Sequence, residues 1–228
     1  MKPAPIDRLL AGLDRGKGER VVCLGVTGMG KSYALRALGA AAAARVDILY
    51  VLDDTDDSPR WGGQRRIDLD DCAAKPLVSR AEGGSHIVVL TGEPFSRRVP
   101  NPEAVAVDAW ALAQRGATCA IVIDELRRAT DTPKQWSVPG GDLPRAFSEG
   151  RKVGISVLAA TNFPQEVPRE SLGSSHLVIF RLGGGESSYL RQRRWVDWDM
   201  ADEIDKLPPR ECLIRWLGEL PDFERYKF

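Results

Sequence analysis

Residues 21–32 read VVCLGVTGMGKS, an apolar run that breaks into a glycine-rich loop closing on lysine and serine. The spacing of Gly25, four residues, Gly30, Lys31 and Ser32 fits a phosphate-binding P-loop. Glycines at such positions let successive backbone N–H groups turn inward as an anion nest, and the helix that follows adds the positive end of its dipole. Gly25, Val26, Thr27, Gly28, Met29, Gly30, Lys31, Ser32 and Tyr33 are therefore the expected cradle of a nucleoside triphosphate. Lys31 would reach the β- and γ-phosphates and the Ser32 hydroxyl would bind Mg²⁺, so ATP and Mg²⁺ are the expected cofactors. Residues 21–24 read as a buried strand and the alanine-rich 31–44 as a helix, which gives the strand, loop and helix order the motif needs.

Working outward, 228 residues with 43% hydrophobic and 28% charged content suit one large soluble α/β domain. No linker divides it, so a single P-loop domain over 1–228 is expected, with its core at about 20–217. No apolar run approaches the roughly 18 residues of a membrane span, and nothing resembles a signal peptide. A cytoplasmic location is the expectation. The formal net charge of +0 gives no bulk electrostatic argument for a nucleic-acid partner. Cys23, Cys72, Cys119 and Cys212 are scattered without metal-ligand spacing and read as reduced core residues. His86 and His176 each precede an apolar strand and read as structural.

Along the chain, residues 1–19 carry Ile6, Leu9, Leu10 and Leu13 at helical spacing, a packing helix. Strands are expected at 46–52, 86–90, 117–123, 153–160, 177–181 and, closing the domain, 211–217; helices at 103–115 and 143–149. The acidic run from Asp53 to Asp57 reads as a solvated loop, and 58–84 as an irregular insertion. Arg97 with Arg98, and Lys134 with Trp136, lie in loops that a nucleic-acid strand could follow. The alternation of strands and helices implies a mainly parallel sheet covered on both faces, with its ligand at the strands' carboxyl ends.

The strand at 117–123 delivers Asp124 and Glu125 at its carboxyl end, the Walker B arrangement. Asp124 would hold Mg²⁺ through water and Glu125 would polarise the water that attacks phosphorus. Asn162 follows the next strand, so three stretches can converge on one nucleotide.

Residues 150–168, GRKVGISVLAATNFPQEVP, resemble the signature of the FtsK–HerA superfamily of DNA-pumping ATPases, and LVIFRL at 177–182 is similar to the strand that follows it there. The resemblance implies a RecA-like P-loop core that assembles as a ring, a hexamer, and hydrolyses ATP to move double-stranded DNA. It further implies that Asn162 senses the γ-phosphate and that Arg151 acts on a neighbouring subunit's nucleotide. Asn162 stands where glutamine is usual, a shorter amide with the same donors and acceptor. Phe163 stands where arginine is common. The compact chain looks like the genome-packaging ATPases of membrane-containing viruses, which implies capsid or vertex proteins as partners and a place in the host cytoplasm at the packaging vertex. Two rivals stay open: a P-loop kinase using Arg191, Arg193 and Arg194 as a lid, and a nucleotide-gated assembly protein. Arg127, Arg128, Arg145 and Arg169 compete with Arg151 for the trans role.

Overall fold

The computed structural model describes residues 4–53, 65–66, 87–91, 102–126, 141–167, 169–218 and 223–228. Asp54 to Asp57, most of 58–84, Cys72, His86, Arg97, Arg98, Arg127, Arg128, Lys134 and Trp136 lie outside the described residues.

The strands are β1 Arg20–Leu24, β2 Ile48–Asp53, β3 Arg65–Arg66, β4 Ile87–Thr91, β5 Cys119–Ile123, β6 Ile155–Thr161, β7 His176–Ile179, β8 Glu211–Arg215 and β9 Phe223–Lys227, and runs of β-branched and aliphatic residues form the inner ones, as in ILYVL of β2 and CAIVI of β5. They make one sheet in the order β3-β4-β2-β5-β6-β1-β7-β8-β9. Pairing is parallel from β3 to β7, and β8 and β9 return antiparallel. The expected closing strand at 211–217 is thus followed by another, β9. Its exposed, charge-rich FERYK reads poorly as a strand because an edge position buries little of it.

The helices are α1 Pro5–Leu9, α2 Lys31–Ala43, α3 Pro102–Ala113, α4 Asp142–Glu149, α5 Arg169–Gly173, α6 Gly184–Gln192 and α7 Trp198–Ile204. Because side chains alternate across a strand, β1 sends Val21 and Cys23 to one face and Val22 and Leu24 to the other. The first face is covered by α1 and α2 through Leu9, Leu10, Leu35 and Leu38; the second by α3 to α7 through Trp110, Phe147, Leu172, Leu190 and Ile204. Leu35 and Leu38 are fully buried, each contributing on the order of 2 kcal/mol.

Local capping fixes how the second layer starts. Glu103 of α3 accepts hydrogen bonds from the backbone N–H groups of Asp142 and Leu143 at the start of α4, and Asp197 accepts from Met200 N at 2.8 Å to open α7. Both neutralise orphan donors at a helix N-terminus with a negative charge. Among the described residues, no helix is long and apolar enough to cross a membrane.

Cys23, Cys119 and Cys212 are buried free thiols, and burial pushes Cys119 and Cys212 up to about 12. They pack as small apolar groups. His176 accepts from Leu217 N at 3.0 Å and lies 3.7 Å from the buried Glu19 carboxylate, an anchor at the sheet's amino edge.

Candidate nucleotide-binding site

The sheet order places β6 between β1 and β5, so the loops leaving these three strands open side by side at their carboxyl ends. The loop after β1 is tied to its neighbours by backbone: Gly25 N donates to Thr161 O at 3.4 Å and Val26 N to Arg181 O at 2.9 Å. Gly30 carries φ 116° at the start of α2, a conformation L residues rarely adopt. A Cβ there would lie 3.2 Å from the Arg210 Cα and 3.3 Å from the Phe180 ring. Gly28, at φ 83°, faces open space. The glycines of the motif therefore serve separate ends: one lets the loop pack down, the other leaves its backbone open to a ligand.

Lys31 is only 7% exposed. Its ammonium donates to Val26 O at 3.1 Å and to Asn162 Oδ1 at 2.6 Å. Asn162 Nδ2 in turn donates to Glu125 Oε2 at 3.0 Å. The amide orientation follows from these partners, with its oxygen toward a cation and its NH₂ toward a carboxylate. Burial lowers the Lys31 pKa from its ordinary value, while Glu125 and Asp124 pull it back up. An anion brought into the cleft beside Lys31 would favour its charged form further, against the cost of burial.

Thr27, Gly28, Gly30, Lys31, Ser32, Tyr33, Asp124, Glu125 and Asn162 line one cleft with a volume of about 550 Å³, within the ordinary range for small-molecule sites. Ser32 and Asp124 offer it two hard oxygen donors, a set that suits Mg²⁺. Among the described residues no three His, Cys, Asp or Glu side chains cluster as a metal site. An ion held here would take its remaining ligands from phosphate oxygens and water, which is the habit of Mg²⁺.

Four further lining residues were not singled out by sequence reasoning as ligands: Arg36, Phe163, Pro209 and Arg210. Arg36 follows Tyr33 by three positions on α2, a spacing that puts both on one helix face and was available to find it. Arg210 arrives from the far end of the chain. Its N–H donates to Met29 O at 2.8 Å and its guanidinium carbon lies 5.0 Å from the Tyr33 ring centroid.

Arg151 is exposed and lies at the opposite edge of the sheet, in the turn Gly150–Val153 ahead of β6, where its carbonyl accepts from Gly18 N at 3.1 Å. β6 alone puts seven residues, roughly 20 Å, between that edge and Asn162. Arg151 does not reach its own subunit's cleft. Arg145 is engaged with Glu149 at 3.2 Å and lies over Trp110, and Arg169 is exposed on α5. Arg191, Arg193 and Arg194, the lid of the kinase alternative, do not line the cleft; Arg191 stacks on Trp198 and Arg193 on Tyr189.

No family model matches the chain, and no curated protein matches it in sequence. Solved structures do. The DNA-packaging ATPase of Sulfolobus turreted icosahedral virus superposes with a TM-score of 0.69 at 16% identity, over 92% of this chain and 97% of that one. The genome-packaging NTPase of Sulfolobus turreted icosahedral virus 2, in complex with AMPPCP, gives 0.66 at 16% identity, covering 92% and 97%. The plasmid coupling protein TrwB, in complex with ADP and Mg²⁺, gives 0.67 at 13% identity, covering 93% and 86%. The fold is an α/β P-loop NTPase core with a mainly parallel sheet, as the resemblance to the FtsK–HerA superfamily implied.

Proposed function

We propose that this chain is an ATP-hydrolysing translocase that moves double-stranded DNA, working as a hexameric ring of identical subunits that loads a viral genome into a preformed capsid. The observation that carries the reading is the alignment of Glu125 by Asn162 beside Lys31 in one cleft. A carboxylate held in place and aimed into a phosphate cradle is a base for water, the group that hydrolysis needs.

Bound ATP and Mg²⁺ supply the electrophilic phosphorus and the charge that polarises it. The chain's residues do the rest. The N–H groups from Gly28 to Ser32 and the Lys31 ammonium bind the phosphates, and Ser32 and Asp124 hold the metal. Glu125 orients the attacking water and takes its proton. Asn162 exchanges its bond to Lys31 for one to the γ-phosphate and so reports whether that group is present. Arg151, too far away to serve its own cleft, completes a neighbour's, which makes the ring the catalytic unit. The motor works in the host cytoplasm, docked on capsid or vertex proteins.

The viral neighbours support the packaging reading, since they are described as a DNA-packaging ATPase and a genome-packaging NTPase, and their fold spans nearly the whole of this chain. The test is ATP hydrolysis measured with and without double-stranded DNA, alongside the mass of the particle in solution. DNA-stimulated phosphate release by a hexamer is expected. Phosphate transfer that requires a small acceptor would replace this reading with a kinase, and nucleotide-driven assembly without turnover would replace it with a gated scaffold.

A further inference from the structure

Past the phosphate loop, the cleft follows the first turn of α2 to Tyr33 and Arg36 and is bounded there by Pro209 and Arg210. The phosphate chemistry uses none of these four. Tyr33 is 47% exposed, a large aromatic left in solvent beside a ligand cleft. Arg210 has φ 66°, the left-handed region that costs an L residue about 1–2 kcal/mol. Its backbone is fixed there from two sides, by donation to Met29 O at 2.8 Å and acceptance from Phe228 N at 2.9 Å. A strained residue over-determined by its surroundings is a pointer to function, and this one aims a guanidinium over the Tyr33 ring.

We propose that Tyr33 and Arg210 form a stacking clamp for the base of the nucleotide. The inference rests on the nucleotide reading of the cleft and adds the element that recognises the base. Aromatic rings and guanidinium planes both stack on base faces. A purine held between them needs the two planes roughly 7 Å apart, twice a ~3.5 Å contact. The exposed Arg210 side chain therefore swings outward by about 2 Å, pivoting on a backbone that stays anchored.

This clamp reads the face of the base and ignores its pairing edge. Stacked flat on a base, the Arg210 guanidinium and the Tyr33 ring offer it their faces and not their hydrogen-bonding edges, and the side-chain carboxylates and amide of the cleft sit at the phosphate end, on Asp124, Glu125 and Asn162. Adenine and guanine share their stacking faces and the N7 acceptor. Discrimination between ATP and GTP accordingly stays within about tenfold, against the 10⁴–10⁵ of sites built to hydrogen-bond one substrate group.

Equilibrium binding of ATP, GTP and inorganic triphosphate to the full chain, measured by calorimetry, tests the clamp. Tyr33→Ala and Arg210→Gly are the variants: the first removes an exposed ring, and the second suits the left-handed backbone, so both keep the fold. Each should weaken ATP and GTP by about 10- to 100-fold, the range of a lost stacking contact, and leave inorganic triphosphate unchanged. Unchanged ATP affinity in both variants, an equal loss for inorganic triphosphate, or a wild-type preference between ATP and GTP beyond about tenfold overturns the clamp. Wild-type turnover separates the two readings: hydrolysis with these outcomes removes the clamp alone, whereas binding that follows the expected pattern without hydrolysis keeps the clamp and removes the motor.

Discussion

Lys31 and Glu125 are joined through one side chain: Asn162 accepts from the lysine at 2.6 Å and donates to the carboxylate at 3.0 Å. The proposed phosphate binder and the proposed base for water are thus positioned as a unit. Glu125→Gln should lower turnover by about 10²–10⁴-fold while ATP stays bound, because an amide accepts no proton. Asn162→Ala should cost about 10–100-fold alone and almost nothing once Glu125 is already Gln, as residues acting together are non-additive. Steady-state kcat across the four chains measures the coupling; full additivity would dissolve the unit.

Lys31 is a source of instability in the nucleotide-free chain. Burial lowers its pKa, so the folded state holds that proton less tightly than the unfolded state does. The cost is present in full below the lowered pKa and disappears as pH rises past the ordinary 10.5. Lys31→Met should therefore melt above the wild type at neutral pH, with the gap closing as pH is raised toward about 10. ATP at about 100 times its Kd adds about 2.7 kcal/mol to the wild type, roughly 5–10 °C in Tm, and should add nothing to the variant. Scanning fluorimetry across pH with and without ATP reads both.

Two glycines of the loop should respond differently to the same change. Gly30→Ala meets backbone and ring at 3.2 and 3.3 Å as well as the wrong φ, and should cost about 2–3 kcal/mol, or roughly 4–12 °C in Tm. Gly28→Ala meets open space and should cost only the conformational term, about 1 kcal/mol. Equal Tm losses in calorimetry would contradict the packing of Gly30 against Arg210 and Phe180.

The position of Arg151 makes a mixing experiment decisive. Arg151→Ala and Glu125→Gln subunits should each be inactive alone. Mixed one to one at random in a ring with head-to-tail interfaces, they should regain about a quarter of wild-type turnover. A site that keeps its own Glu125 then borrows an arginine from next door. No recovery would remove the trans role.

That the glycine loop, the acid pair and Asn162 meet in one cleft was legible because each is a short local pattern placed by one strand. Periodicity located those strands, and parallel pairing did the convergence. Even the remoteness of Arg151 was implicit, since a residue preceding β6 must lie at the sheet's amino edge. Arg210 was not legible. It reaches the loop only because β8 returns antiparallel and because a non-glycine residue accepts φ 66°, and no neighbouring residue announces either. The helices α6 and α7 were missed for a related reason: they are short, and their buried apolar residues are Leu190 in one and Ala201 and Ile204 in the other, too few to set a period.

β6 has one further consequence. Its carboxyl end leads to Asn162, which lines the cleft, and its amino end follows Arg151, which in the ring proposed above would serve the next subunit. The strand is fully buried and hydrogen-bonded on both sides, between β1 and β5. If Asn162 senses the γ-phosphate as proposed, a shift there when phosphate leaves would reach Arg151 along this one strand, without a loop to relay it. In the proposed ring these strands would lie in series, coupling each firing to the next as a camshaft couples its valves.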